Sequence, residues 1–332
     1  MSQTVVITGA SAGVGRAAAA AFGARGDRVA LIARGRKGLE GAARDVEQAG
    51  GRAVVLPCDV ADAAAVDAAA QRVEDELGPI DVWVNDAMAA VLAFVHETDP
   101  ADFRRVTEVT YLGCVHGTMA ALARMRARDR GVIVQVGSAL AYRSIPLQAP
   151  YCASKAALRG FTDALRCELI HDKSGVQLTM VHLPGVNTPQ FGWSRTHMPH
   201  RHRPVGAVYQ PEVAAAAIVK AAMEAPRELW VGMPAVQAIA GASVAPGLLD
   251  SYLARAAYDA QSGEEPAGSG RGILFAPADQ DGGIHGSFDD EAKSSAMPVK
   301  AGAARSGIAL GGVAAMAGIY LLGRRISRTE SR

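Results

Sequence analysis

Short runs of consecutive apolar residues recur along the chain at positions 4–8, 28–33, 53–57, 82–85, 132–137, 177–183 and 229–231. They are rich in Val, Ile and Leu and do not alternate with polar residues, which is the pattern of strands buried on both faces. Between most of them lie Ala-rich segments long enough for a crossover helix. Strand and helix in this alternation predict an α/β chain whose doubly wound parallel sheet carries helices on both faces. A ligand of such a sheet is expected at the C-terminal strand ends, near the point where strand order reverses. Further along, residues 211–225 predict a long Ala-rich helix, 227–232 a last edge strand, and 235–260 one more helical stretch.

The periodic pattern fades after residue 261, so residues 1–261 are expected to form a single domain. Residues 262–305, rich in Gly, Ser, Pro, Asp and Ala, read as a linker or arm. Within the arm, Gly272-Ile273-Leu274-Phe275 and Gly286-Ser287-Phe288 are the places expected to pin it to the body. Residues 306–323 carry no charge and are followed by the basic tail 324–332. An 18-residue uncharged stretch is at the lower limit for a helix that spans a bilayer. Gly307, Gly311 and Ala315 give it a small-residue face. A transmembrane anchor is expected there, with a docking helix as the other reading.

Composition narrows the classes. With 34 basic against 33 acidic residues, nothing points to nucleic acid as a partner. The four cysteines, Cys58, Cys114, Cys152 and Cys167, form no C-x-x-C pair and read as reduced thiols. The first strand opens at Thr4 and leaves no room for a signal peptide, so the body is expected in the cytoplasm.

The first candidate chemistry follows the first strand. In Thr8-Gly9-Ala10-Ser11-Ala12-Gly13-Val14-Gly15, three glycines allow a sharp turn and close approach of a ligand. The helix that begins there offers unpaired N–H groups to a pyrophosphate. The same letters match the nucleophile elbow G-x-S-x-G, with Ser11 as nucleophile. That motif needs an earlier strand and loop for its oxyanion hole, and too little chain precedes Ser11 to supply them.

Tyr151 and Lys155 stand four residues apart at the start of a helical segment, hence on one face. An ammonium group beside a phenol favours the phenolate, so Lys155 is expected to draw Tyr151 below its ordinary pKa of about 10. Ser138, at the end of the run 132–137, can present its hydroxyl to a ligand at the sheet edge.

Taken together, these residues make the chain resemble the short-chain dehydrogenase/reductase family over roughly residues 3–235. The matching pieces are Thr8-Gly9-x-x-x-Gly13-x-Gly15, Cys58-Asp59-Val60, Asn85 in Val84-Asn85-Asp86-Ala87, Ser138, Tyr151-x-x-x-Lys155 and Pro184-Gly185-x-Asn187-Thr188. The resemblance implies a Rossmann fold and a catalytic domain that interconverts a carbonyl and an alcohol by hydride transfer. It implies Tyr151 as acid/base, Ser138 bonded to the substrate oxygen, and Lys155 on the nicotinamide ribose. Gly9, Ser11, Gly13, Val14 and Gly15 are then expected at the cofactor, with Asp59 and Val60 near the adenine. Asn85, Pro184, Gly185 and Thr188 complete the implied cofactor set. It also implies a homo-oligomer built on residues 211–232. A protein of this fold that binds NADP without turnover is the alternative reading.

The second strand ends in Arg34, followed by Arg36 and Lys37, with no carboxylate to take a ribose hydroxyl. A cation at that point favours the 2′-phosphate of NADP(H) over NAD(H). Two positions depart from the family pattern. Thr110 stands where an asparagine relays protons, and Met88 replaces a glycine beside the expected cofactor. Beyond Thr188, Phe191 and Trp193 suit an apolar wall and a lipophilic carbonyl or alcohol substrate. His197, His200 and His202 sit among arginines with no carboxylate or cysteine to complete a metal set, so a solvated basic loop is expected and no metal. His116, His171 and His182 read as ordinary helix-surface or strand residues.

Overall fold

The computed structural model describes residues 2–267, 272–278 and 280–306. The apolar runs become strands β1 (Thr4–Thr8), β2 (Arg28–Ala33), β3 (Arg52–Pro57), β4 (Val82–Asn85), β5 (Gly131–Ser138), β6 (Val176–Leu183) and β7 (Glu228–Val231). A short strand β8 (Pro298–Lys300) is added from beyond residue 261. The sheet order is β3-β2-β1-β4-β5-β6-β7-β8. All pairs are parallel except β7 with β8. Strand order reverses between β1 and β4, which opens a crevice above Thr8 and Asn85.

Helices α1 (Gly13–Gly23), α2 (Arg36–Gln48), α3 (Ala63–Leu77), α4 (Pro100–Thr107), α5 (Gly113–Met125), α6 (Ala149–His171) and α7 (Pro211–Glu224) cover the sheet. Successive strand residues point to opposite faces, so Val5 and Ile7 pack with Phe22, Leu39 and Ile218 on one side. Val6 packs with Leu77, Trp83 and Leu165 on the other. Both faces are closed to water, which explains why these strands show no polar alternation.

The helical stretch expected at 235–260 is two helices, α8 (Gly232–Val244) and α9 (Pro246–Gln261). Pro246 lacks an N–H and its ring forbids a helical residue before it; Ala245 accordingly sits at φ −141°, ψ 60°. The segment expected as an arm is laid along the body. Residues 262–266 pair with 200–202, and Lys293 bonds the Val208 carbonyl through its amide. Among the described residues no helix is long and apolar enough to cross a membrane. Apart from Ser306, the expected span 306–323 and the tail 324–332 lie outside the described residues.

Candidate active site

A cavity of about 580 Å³ opens at the crevice, and one wall carries Ser138, Tyr151 and Lys155. Strand β5 ends at Ser138, whose side chain accepts the Leu140 amide at 3.1 Å and lies beside the Tyr151 phenol, where it favours the phenolate. Lys155 lies one turn along α6 from Tyr151, with Nζ 5.7 Å from the Tyr151 ring centre. Only 2% of Lys155 is exposed, and its ammonium donates to the Val136 carbonyl at 2.6 Å. That bond points the charge into the cavity wall instead of into solvent.

The effect on Tyr151 differs from expectation. Burial pushes the phenol above its ordinary value, and the opposing pull of Lys155 and Ser138 recovers only part of that shift. In this protein the ammonium limits the cost of forming a phenolate; it does not make the phenol acidic outright.

The glycine turn forms the adjoining wall. Gly9 and Gly13 have φ +76° and +56°, where side chains are strained. A Cβ on Gly9 would stand 2.9 Å from the Ala87 backbone, and one on Gly13 would stand 3.0 Å from Thr188. Thr8 pins the facing loop, its hydroxyl accepting the amides of Asp86 and Ala87 at 3.1 Å each. Ser11, Val14, Arg34, Asp59, Val60, Pro184, Gly185 and Thr188 all line the same cavity.

Three expected site residues stand behind the wall. Gly15 lets α1 approach the turn, since a Cβ there would lie 2.5 Å from the Gly9 carbonyl. Asn85 is fully buried; it accepts the Trp83 indole N–H at 2.8 Å and donates to Thr118 and Gln135. Thr110 exchanges bonds with the backbone of Ala89, donating at 3.0 Å and accepting at 2.9 Å. It lies in a π turn over Glu108–Leu112, and both its bonds serve to tie that turn to the loop after β4.

Several cavity groups escaped the sequence reading. Asp86 lines the cavity beside Lys155 and is pushed up to about 7, chiefly by burial, with Lys155 and the Gly15 amide pulling the other way. Its cue was present in Asn85-Asp86-Ala87-Met88, where a carboxylate follows directly on a buried strand. Arg105 pairs with Asp59, while burial and then Arg105 hold the Arg34 guanidinium below its ordinary value. No spacing rule links α4 to the end of β2. The basic loop is also less solvated than expected. Arg195 and His197 converge on the buried Asp102 at 2.6 and 3.0 Å. His202 is buried, lines the cavity against Phe191, and burial lowers it to about 4. His182, expected as an unremarked strand residue, is wholly buried and binds the Ser138 carbonyl through Nδ1 at 3.0 Å.

A doubly wound sheet with a glycine turn on its first strand and Ser, Tyr and Lys at the crevice defines a dinucleotide-type oxidoreductase class. Comparison with known proteins agrees. The short chain dehydrogenase family matches residues 3–198, and the chain belongs to that family. It is 34% identical over 259 residues to an uncharacterized oxidoreductase of Mycobacterium tuberculosis (strain ATCC 25618 / H37Rv), covering 76% of this chain and 73% of the relative. It is 31% identical over 229 residues to the fatty acyl-CoA reductase of Acinetobacter baylyi, covering 68% and 75%. Among solved structures, the alcohol dehydrogenase of the archaeon Thermococcus sibiricus complexed with 5-hydroxy-NADP is similar at TM-score 0.59. The two are 26% identical, over 69% of this chain and 96% of that one.

Proposed function

We propose that the protein is an NADP(H)-dependent oxidoreductase that interconverts a carbonyl and a secondary alcohol, with Tyr151 as acid/base. The observation that carries this reading is the grouping of Ser138, Tyr151 and Lys155 on one wall of a cavity that continues to the glycine turn and Arg34. The cradle fits a dinucleotide: Gly9 and Gly13 leave room where any Cβ would intrude, and α1 begins there. Bound in that cradle, the nicotinamide group supplies or receives the hydride.

The chain's own residues do the rest. Ser11 and Val14 would hold the pyrophosphate side, Asp59 and Val60 the adenine side, Thr188 the nicotinamide carboxamide, and Lys155 the nicotinamide ribose. Ser138 orients the substrate oxygen, and Tyr151 gives that oxygen a proton in reduction or removes it in oxidation. Lys155 steadies the phenolate against the cost of burial. Arg34 and Arg105 repel one another at the adenine end, and a 2′-phosphate relieves that repulsion as a ribose hydroxyl cannot. The NADP-type ligand of the archaeal relative supports the same choice.

Leu140, Ile145, Phe191, Trp193, Leu249 and Leu253 line the outer cavity, which favours a lipophilic carbonyl. The fatty acyl-CoA reductase relative points to the same substrate class. The test is turnover by the full chain with NADPH or NADH and ketones of increasing chain length, or the matching secondary alcohols with NADP⁺ or NAD⁺. NADPH is expected to be preferred, and Tyr151→Phe to lower kcat by about 10²–10⁴ while NADPH still binds. Turnover untouched by Tyr151→Phe overturns the acid/base role; NADPH binding with no turnover on any carbonyl returns the protein to the role of a silent binder.

A further inference from the structure

Residues 272–278 and 280–288 cross the mouth of the cavity from its adenine end to Thr188. At the adenine end, Arg34 donates to the carbonyls of Ile273 and Leu274 at 2.6 and 3.1 Å, and Arg105 donates to Leu274 at 3.4 Å. Midway, Asp281 forms an ion pair with Arg16 of α1, and Arg44 lies 3.5 Å away on α2. The next turn brings the Gly283 carbonyl within 3.1 Å of the Gly13 amide, at the first turn of α1. At the far end the Gly286 amide bonds the Asn187 carbonyl at 3.3 Å and the Phe288 amide bonds Asn187 Oδ1 at 3.0 Å. Ile273, Pro277, Ala278, Gln280 and Gly282 line the same cavity as Ser11 and Tyr151.

Glycine is required along this path. A Cβ on Gly286 would stand 2.5 Å from the Thr188 carbonyl, and one on Gly282 would run into the Trp193 ring. The segment therefore lies flat on the residues that face the cavity. Its acceptors also occupy the donors that a dinucleotide phosphate would use, namely Arg34 and the Gly13 amide.

We infer that residues 272–278 and 280–288 form a strap across the cofactor's adenine and pyrophosphate half, clasped by Asp281 on Arg16, and that NADP(H) enters and leaves only when this clasp opens. The inference rests on the cofactor reading above. Because the clasp and not the cradle sets the rate, opening it speeds entry and exit together. Loss of an ordinary binding contact speeds exit alone.

The experiment is stopped-flow fluorescence of NADPH binding to the full chain, with release measured by displacement with excess NADP⁺. Asp281→Ala removes the clasp. Gly41→Ala puts a methyl group against the Asp281 carboxylate while favouring the α2 helix. Both are expected to raise association and dissociation rates, by roughly tenfold for Asp281→Ala, the scale of a lost charge-assisted hydrogen bond. Binding seen only in the variants also supports the strap. Rates within twofold of wild type in both variants overturn it and leave the cofactor reading standing. Failure of wild type and variants alike to bind NADPH overturns both.

Discussion

A carboxylate walled in by protein holds its proton to higher pH than one in water, and Asp86 is pushed up to about 7 by this effect. Lys155 and the Gly15 amide oppose the shift without cancelling it. Because the native value is raised, the native state carries no penalty below about pH 4, where folded and unfolded chains are both protonated. As pH climbs to 7 the unfolded chain releases its proton freely and the folded one does not, so stability falls across that window. Asp86→Asn keeps the shape and removes the charge. It is expected to raise Tm at pH 8 by roughly 3–8 °C and to match wild type near pH 4. Thermal melts across pH 4–8 check this; a constant difference at all pH values assigns the effect to packing instead. The same physics governs Tyr151, and it marks what spacing can reveal. Tyr151 and Lys155 were legible as partners because a helix places i and i+4 together. The sign of the phenol's shift was not, since it depends on how much protein surrounds the ring.

Elements were legible in proportion to how far local pattern decides them. The cores of strands β1 to β7 follow from apolar runs, and the ladder merely adds Arg52 to β3, Gly131 and Ser138 to β5, Val176 to β6 and Glu228 to β7. The break at Pro246 was visible as a proline, but the apolar pattern on either side hid it. The loop from Arg195 to His202 was read as solvated because its anchor, Asp102, lies on α4, more than ninety positions away in the chain. Only 1% of Asp102 is exposed, and it takes both Arg195 and His197, while residues 195–196 also pair with 91–92. Asp102→Asn leaves two partly exposed basic side chains facing a buried neutral amide. It is expected to lower unfolding free energy by about 2–4 kcal/mol, read from the midpoint in urea. Adding Arg195→Met is expected to cost little more, since the charge left unpaired is then gone. Additive losses from the two substitutions contradict this account.

At the scale of the molecule, residues beyond 261 finish what the sheet leaves open. β7 would otherwise be an edge, with unpaired backbone groups that invite another strand. Instead β8 covers it, with Trp230 opposite Val299. The closure is secured by one buried carboxylate. Glu228 accepts the Tyr142 hydroxyl at 2.6 Å, the Trp230 indole N–H at 3.2 Å and Arg305 at 3.0 Å. Burial alone would raise Glu228, but the His182 imidazole 3.5 Å away and the Tyr142 hydroxyl hold it well below the usual carboxylate range. His182 also binds the Ser138 carbonyl, so the lock on the sheet edge touches the strand that ends at the cavity. A depressed native value means that the ionised carboxylate stabilises the fold above the ordinary carboxylate range, and that this stabilisation fades as pH falls below it. Glu228→Gln at neutral pH is therefore expected to loosen Arg305 and β8 first. Amide hydrogen exchange in residues 298–306 and 228–231 rises, while exchange in β1 and β4 stays as in wild type. The variant then exposes the β7 edge and self-associates at high concentration, which light scattering detects. Repeating the stability measurement below about pH 4 narrows the gap to wild type, because the native carboxylate is losing its advantage there too. Unchanged exchange along residues 298–306 would show that backbone pairing alone holds β8, with Glu228 serving only its indole and phenol neighbours.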